Sequence, residues 1–427
     1  MKGIIINWID TLASIPADWL LCDGANSTPN LLGKYLLGAS AGVDPGTTGG
    51  SATHTHSTSA HNHTQDTHSH SGNTSEANGN QAGAFPGSSS LAREHTHTYT
   101  SSSTVAVNQE ATVTAESASN DPAYYKVAPI IDNSVSGVKY PATSLIFWGQ
   151  TTLPLGWSAC DGSSGTPDLR NKFLKCVDSA ENPGATGGSA THTHSTTAHN
   201  HTQNSHGHTA TTGGSNSCTS YNSAVSGALA CSHSHTITVG EIAATNQTAA
   251  PTMDTINGEP TFKKLLILKN TGVANRPKYA IVLWTGTIAN IPLGYVLCDG
   301  TNSTPDLRDY FIKGALDSSE IASTGGSSVH GHTANSHNHT QDAHNHSGTI
   351  PNYTTLNASY DGGDGGGIDS AHQHPNFDLT SVTATNQATT ITISNCSSQA
   401  NYPPFYKVAY IMQDRELDVG AYAFMIN

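Results

Sequence analysis

His54-Thr55-His56, His61-Asn62-His63 and His68-Ser69-His70 set three His-x-His pairs seven residues apart, and a fourth pair, His95/His97, follows after a longer gap. The same pairs return 138 residues on as His192/His194, His199/His201, His206/His208 and His233/His235. They return again as His330/His332, His337/His339, His344/His346 and His372/His374, so that all 24 histidines belong to the pattern. A fixed period of this kind marks repeated structural units. The chain divides into 1–138, 139–276 and 277–427, the last with a C-terminal extension.

In an extended strand residues i and i+2 face one side, about 6.6 Å apart along the chain, so both imidazoles of a pair reach one ion. Two ligands do not make a stable site, so other strands must supply the rest. One pair from each of three copies gives six nitrogens, an octahedral shell. Grouped in sixes the 24 histidines hold four ions; grouped in fours, as tetrahedral sites, they would hold six. Imidazole suits Zn, Cu, Fe and Ni, but zinc strongly prefers four-coordinate N/S sites. Six nitrogens therefore point to Fe(II), about four ions per chain, with nickel or cobalt behind it. Seven residues span roughly 23 Å when extended. Seven is also odd, so a flat strand would turn alternate pairs outward. The strands are expected to twist or bulge between sites, as strands winding about a common axis do.

Composition agrees with an order that does not come from burial alone. Of 427 residues only 11% are charged, and the 35% that are hydrophobic cluster in short runs such as Trp19–Cys22, Leu145–Trp148 and Leu265–Leu268. The stretches between them cannot bury an ordinary core, and metal ligation is the substitute. Thr-rich alternation such as Thr96-His97-Thr98-Tyr99-Thr100, with turns at Gly and Pro, reads as an all-β, mostly extended chain. One short helix is expected around Leu31–Leu37. Apolar strands close each copy at Tyr124–Ile131, Phe262–Leu268 and Phe405–Met412, after an Asn-Gln step at Asn108, Asn246 and Asn386.

The net charge of −14 without a basic run excludes the footprint of a nucleic-acid binder. No stretch of 18 apolar residues exists, and Met1–Asn7 is too short an apolar segment for a signal peptide. The expectation is a soluble chain without membrane insertion, made in a reducing compartment. Cys22, Cys160 and Cys298 share one repeated position and read as core residues, while Cys218 and Cys231 leave a local disulfide open. Catalysis would need an open coordination position and a nearby acid or base, and the nearest carboxylates, Glu94 and Asp342, do not recur. We expect no enzyme.

The remaining blocks carry a resemblance. Pro16 to Gly24 reads Pro-x-x-Trp-x-x-Cys-Asp-Gly, and Thr166–Arg170 and Thr304–Arg308 read Thr-Pro-Asp-Leu-Arg, followed by Gly-Gly-Ser. This resembles the bacteriophage tail-collar domain, and the His-x-His segment after it is similar to the receptor-binding tips of T-even-type long tail fibres. The resemblance covers nearly all of each repeat. It implies a globular collar-like base, an intertwined needle of long strands around axial iron ions bound by the histidines named above, and a distal tip that contacts the bacterial surface. Members of that family usually have one unit per chain and form homotrimers, whereas this chain has three. Its first copy also reads Pro29-Asn30-Leu31-Leu32 where the collar pattern has Asp and Arg.

Linkers of about ten residues, around Asn133–Pro141 and Asn270–Pro277, span roughly 30 Å. They favour a single-chain pseudo-trimer over a homotrimer of tandem modules. Between the third and fourth pairs lie segments that differ among copies, Ser71–Glu94, Thr209–Ser232 and Ser347–Ala371. They are marked by Phe85 and Arg93, by Tyr221, and by Tyr353 and Tyr360. Aromatic and short polar residues of this kind suit a glycan or protein receptor on a host cell surface. The functional expectation is a virion tail-fibre adhesin, docked on a separate virion tail or fibre-shaft protein through the collar face or Glu416–Asn427. Metal storage and a fibre-borne polysaccharide depolymerase are the alternatives.

Overall fold

The computed structural model describes residues 3–56, 60–63, 65, 67–74, 97–101, 108–134, 139–212, 236–239, 246, 249–272, 276–339, 341, 344, 346, 348–349 and 402–414. These residues are all-β, with single 3-10 turns at Leu12–Ser14, Ile288–Asn290 and Ser318–Glu320. No helix among them is long and apolar enough to cross a membrane.

Each repeat contributes five strands to one large sheet system, and three of them build its core. Opening strands are Ile4–Trp8, Ser144–Trp148 and Ala280–Trp284; inner strands are Tyr35–Gly38, Phe173–Cys176 and Phe311–Gly314; closing strands are Tyr124–Asp132, Phe262–Asn270 and Phe405–Gln413. Opening strands are buried on both faces, which is why they read as unbroken apolar runs rather than alternating ones. Ile4, Ile6 and Trp8 enter one core and Ile5 the other. The thiols Cys22, Cys160 and Cys298 are buried in the second core and unbonded to one another.

Pairing runs in a cycle. The end of each opening strand pairs with the start of the next: Asn7 with Leu145, Phe147 with Ile281, and Ile5 with Leu283. Closing strands exchange between repeats. The first lies parallel to the inner strand of the second repeat, the second to that of the third, and the third returns to that of the first. At the linkers Arg276 forms a buried ion pair with Asp132, 2.9 Å, and stacks over the Tyr140 ring.

The helix expected around Leu31–Leu37 does not form. Gly33 turns the chain at positive φ, and Tyr35–Gly38 is a fully buried strand in parallel register with Phe405–Val408. Tyr35 and Leu37 facing one apolar cluster and Leu36 facing another satisfy the same hydrophobic run better than one helical stripe. The Gly-Gly-Ser step also finds its reason here. Gly50, Gly188 and Gly326 all have positive φ, and a methyl group on each would meet the carbonyl of Pro403, Pro122 or Pro260.

Beyond the sheet the histidine segments run out and back. The first and second returning segments each bridge their own outgoing segment and that of the next repeat, as in His61 to Ala111 and then Asn108 to Gln203. The same order persists further out, where Ser71–Asn73, Thr98–Ser101, Thr209–Thr212, Thr236–Val239 and Gly348–Thr349 form one five-stranded sheet.

Candidate metal centres

The first pairs of the three repeats converge. His54 Nε2 lies 2.9 Å from His330 Nε2, 3.0 Å from His194 Nε2 and 3.2 Å from His192 Nε2, and His332 Nε2 lies 3.3 Å from His192 Nε2. The second pairs repeat this, with His199 Nε2 at 3.2 Å from both His61 and His339 and at 3.3 Å from His337. In the third set His206 Nε2 lies 3.2 Å from His68 Nε2. Each set draws one His-x-His pair from every repeat.

Ring packing defines the geometry. Within the first set every imidazole packs edge-to-face on all of its fellows but one, and the pairs left apart are His54 with His332, His56 with His192, and His194 with His330. That is the adjacency of an octahedron, in which each vertex touches all others except the opposite one. The second set has the same pattern, with His61 opposite His339. So does the third, with His68 opposite His346.

Metal–nitrogen bonds of about 2.1 Å put neighbouring nitrogens of an octahedron about 3.0 Å apart and opposite ones about 4.2 Å apart, against about 3.4 Å for neighbours in a tetrahedron. The observed approaches run from 2.9 to 3.3 Å, between the two edges, so the ring adjacency rather than any single distance marks the octahedron, and the ligand atoms of the opposed His54 and His332 lie within 4.8 Å. Residues of all three sets could hold a metal ion.

In three pairs the second histidine has its tautomer fixed by a returning segment. His194 Nδ1 donates to the Glu116 carbonyl at 2.6 Å, His201 Nδ1 to that of Gln109 at 2.9 Å, and His332 Nδ1 to that of Asp254 at 3.0 Å. A donor at Nδ1 leaves the Nε2 lone pair turned toward the other five rings, the usual outer support of a metal-bound imidazole. Burial first, and neighbouring imidazoles second, hold the rings neutral: His54, His61 and His68 are pushed down to about 4, and His192, His330 and His337 to about 3.

Of the fourth set His97 is described and fully buried, while His95, His233, His235, His372 and His374 lie outside the described residues. So do Phe85, Arg93, Tyr221, Tyr353 and Tyr360. Reading the sequence missed the carbonyls that orient the rings, because any residue type can supply one. It noted Asn108 and Asn246 as an Asn-Gln step without a role; each amide donates to an outgoing segment, Asn108 to the His63 carbonyl at 2.9 Å and Asn246 to that of His201 at 2.8 Å. Comparison of the chain with protein-family models, characterised proteins and solved structures gives no match.

Proposed function

We propose that this chain is a bacteriophage tail-fibre tip, a receptor-binding adhesin whose collar-like base carries a needle stapled by about four six-histidine Fe(II) sites. The observation that carries the reading is the set of octahedral histidine clusters, each assembled from all three repeats. An extended Ser/Thr-rich chain has little apolar surface to bury, and ligation supplies the folding energy instead. An all-nitrogen, six-coordinate shell favours Fe(II), then nickel or cobalt, over zinc. Buried sets argue against storage, which asks for exchangeable ions.

The working unit is a single-chain pseudo-trimer. Lys175 of the second repeat pairs with Asp121 of the first, and Lys313 of the third with Glu259 of the second. Leu37 stands at the equivalent place in the first repeat, and the residue equivalent to the two acids in the third is Tyr402, in the same apolar cluster. Only closure of the three repeats within one chain matches Lys to acid twice and Leu to Tyr once. A homotrimer of tandem modules would set Leu37 against Asp121 and Lys313 against Tyr402. Recognition of a host-surface glycan or protein falls to the variable segments between the third and fourth pairs, and attachment to the virion to the opposite end.

Light-scattering mass with metal analysis tests the assembly. A mass near 44.4 kDa with about four irons is expected; about three times that mass means a homotrimer, and six ions per chain removes the octahedral scheme. Labelled chain should bind the surface of susceptible bacteria and compete with virion adsorption. Alanine at Phe85, Arg93, Tyr221, Tyr353 and Tyr360 should weaken that binding at unchanged metal content. A loaded chain that neither binds susceptible cells nor competes would end the adhesin reading.

A further inference from the structure

Three buried glutamines occupy the gap between the second and third histidine sets. Gln203 Nε2 donates to Gln65 Oε1, Gln341 Nε2 to Gln203 Oε1, and Gln65 Nε2 to Gln341 Oε1, closing a head-to-tail ring with one member from each repeat. All three side chains are 1% exposed. We infer that this ring is the register key of the histidine sites: it decides which three His-x-His pairs share an ion. The inference rests on the metal reading proposed above.

The histidines cannot make that choice themselves. Their pairs recur every seven residues, so a segment that slips by seven places still offers a pair at every level it reaches. His199/His201 would then sit with His54/His56 as well as His192/His194 do, and ligation would reward the wrong pairing. What stands four residues after the first histidine of each pair differs from gap to gap. It is Thr196 and Ala334 in the gap before the ring, Gln in the ring, and Ala210 and Gly348 in the gap after it.

The surroundings differ in the same sense. Ala334 packs with Val113, Ala115 and Met253, and Ala210 with Tyr99, Ile237 and Val239. Among the described residues only the middle gap faces amides on the returning side, where Asn108 bridges to Gln203 and Asn246 to Gln341. A one-step slip carries a glutamine into an apolar gap and leaves two partners in the ring with an open donor and acceptor, which buried amides do not tolerate. A buried polar residue that sets register among otherwise equivalent apolar layers is the best-attested use of such groups.

The test is to unfold and refold the full chain with Fe(II), then measure irons per chain and resolve species by native mass spectrometry with ion mobility. The unaltered chain should give one species with full metal content; if it takes up no iron, the metal reading fails and the glutamines are not at issue. The variant Q65A/Q203A/Q341A should load iron yet give several species, with average content lowered because slipped end pairs lack partners. Gln203→Ala alone, which leaves two glutamines, should give the same heterogeneity more weakly and covers the case in which the triple variant does not fold. A purely structural ring would lower the melting temperature without splitting the species. One species at full iron content from either variant overturns the inference.

Discussion

Lys313 Nζ reaches Glu259 Oε1 at 2.6 Å across the boundary between the third and second repeats, with side chains 9% and 5% exposed. The ammonium also lies 4.7 Å from the centre of the Phe262 ring. So deeply placed a pair is costly to break, because the surviving charge stays buried without its counterion. Glu259→Gln should destabilise the sheet region by about 3 kcal/mol, read as a lower denaturation midpoint. The double variant Lys313→Leu with Glu259→Tyr copies Leu37 and Tyr402 and should recover most of that loss. A double variant no better than the single one would mean that the three boundaries are not interchangeable.

Acid should act on the histidine sets before the sheet. Imidazoles held at about 4 or about 3 stay neutral when folded, whereas the unfolded chain titrates near 6.5. Folded-state values below unfolded ones mean that the unfolded chain binds more protons as pH falls. Stability of the metal-free protein is therefore level above about pH 6.5 and declines from there to about pH 3. Bound metal steepens the decline, since each ligand lost to a proton weakens a shell. Hydrogen exchange of the backbone at 60–74 across this range reads it; a pH-independent pattern would contradict it.

Much of the site was legible because the pattern was redundant. Thrice-repeated His-x-His spacing marked the histidines that converge and, for the first three sets, their grouping by six, while Thr-rich alternation marked the all-β class. Boundaries between repeats were less so. Lys175 and Asp121 are 54 residues apart in the chain, and nothing in either neighbourhood announces the partner. The Leu31–Leu37 run deceived because a short apolar stretch has no periodicity long enough to separate helix from buried strand. Gln65, Gln203 and Gln341 sat in plain sight at one repeated position, but polar residues in a polar tract carry no mark of burial.

Removing a single ligand should empty a single site. His61 lies at the first place of the second set, with Nε2 3.2 Å from His199 and 3.3 Å from His201. His61→Ala leaves five nitrogens and an opening for water, so iron content should fall by about one per chain while the neighbouring sets keep theirs. Loss of all metal would show that the sets load as one cooperative unit.

Chelation should separate the two halves of the molecule, and the tryptophans are placed to report it. Trp8, Trp19, Trp148, Trp157 and Trp284 are all buried in the sheet region, among the residues of one apolar core, and they are all the tryptophans the chain has. That core depends on aliphatic and aromatic burial, worth about 25 cal/mol per Å² of apolar surface, and on strand exchange between repeats, neither of which involves an imidazole. Among the described residues the histidine segments hold only two small apolar clusters, Val113, Ala115, Met253 and Ala334 in one and Tyr99, Ala210, Ile237 and Val239 in the other. Taking the metal away therefore leaves six inward-facing imidazoles per level with little else to hold them. Treatment with a strong chelator should leave tryptophan emission unchanged while residues 54–118 and their counterparts become open to protease. A shift of tryptophan emission to the red on chelation would mean that the sheet region also draws its stability from the ions.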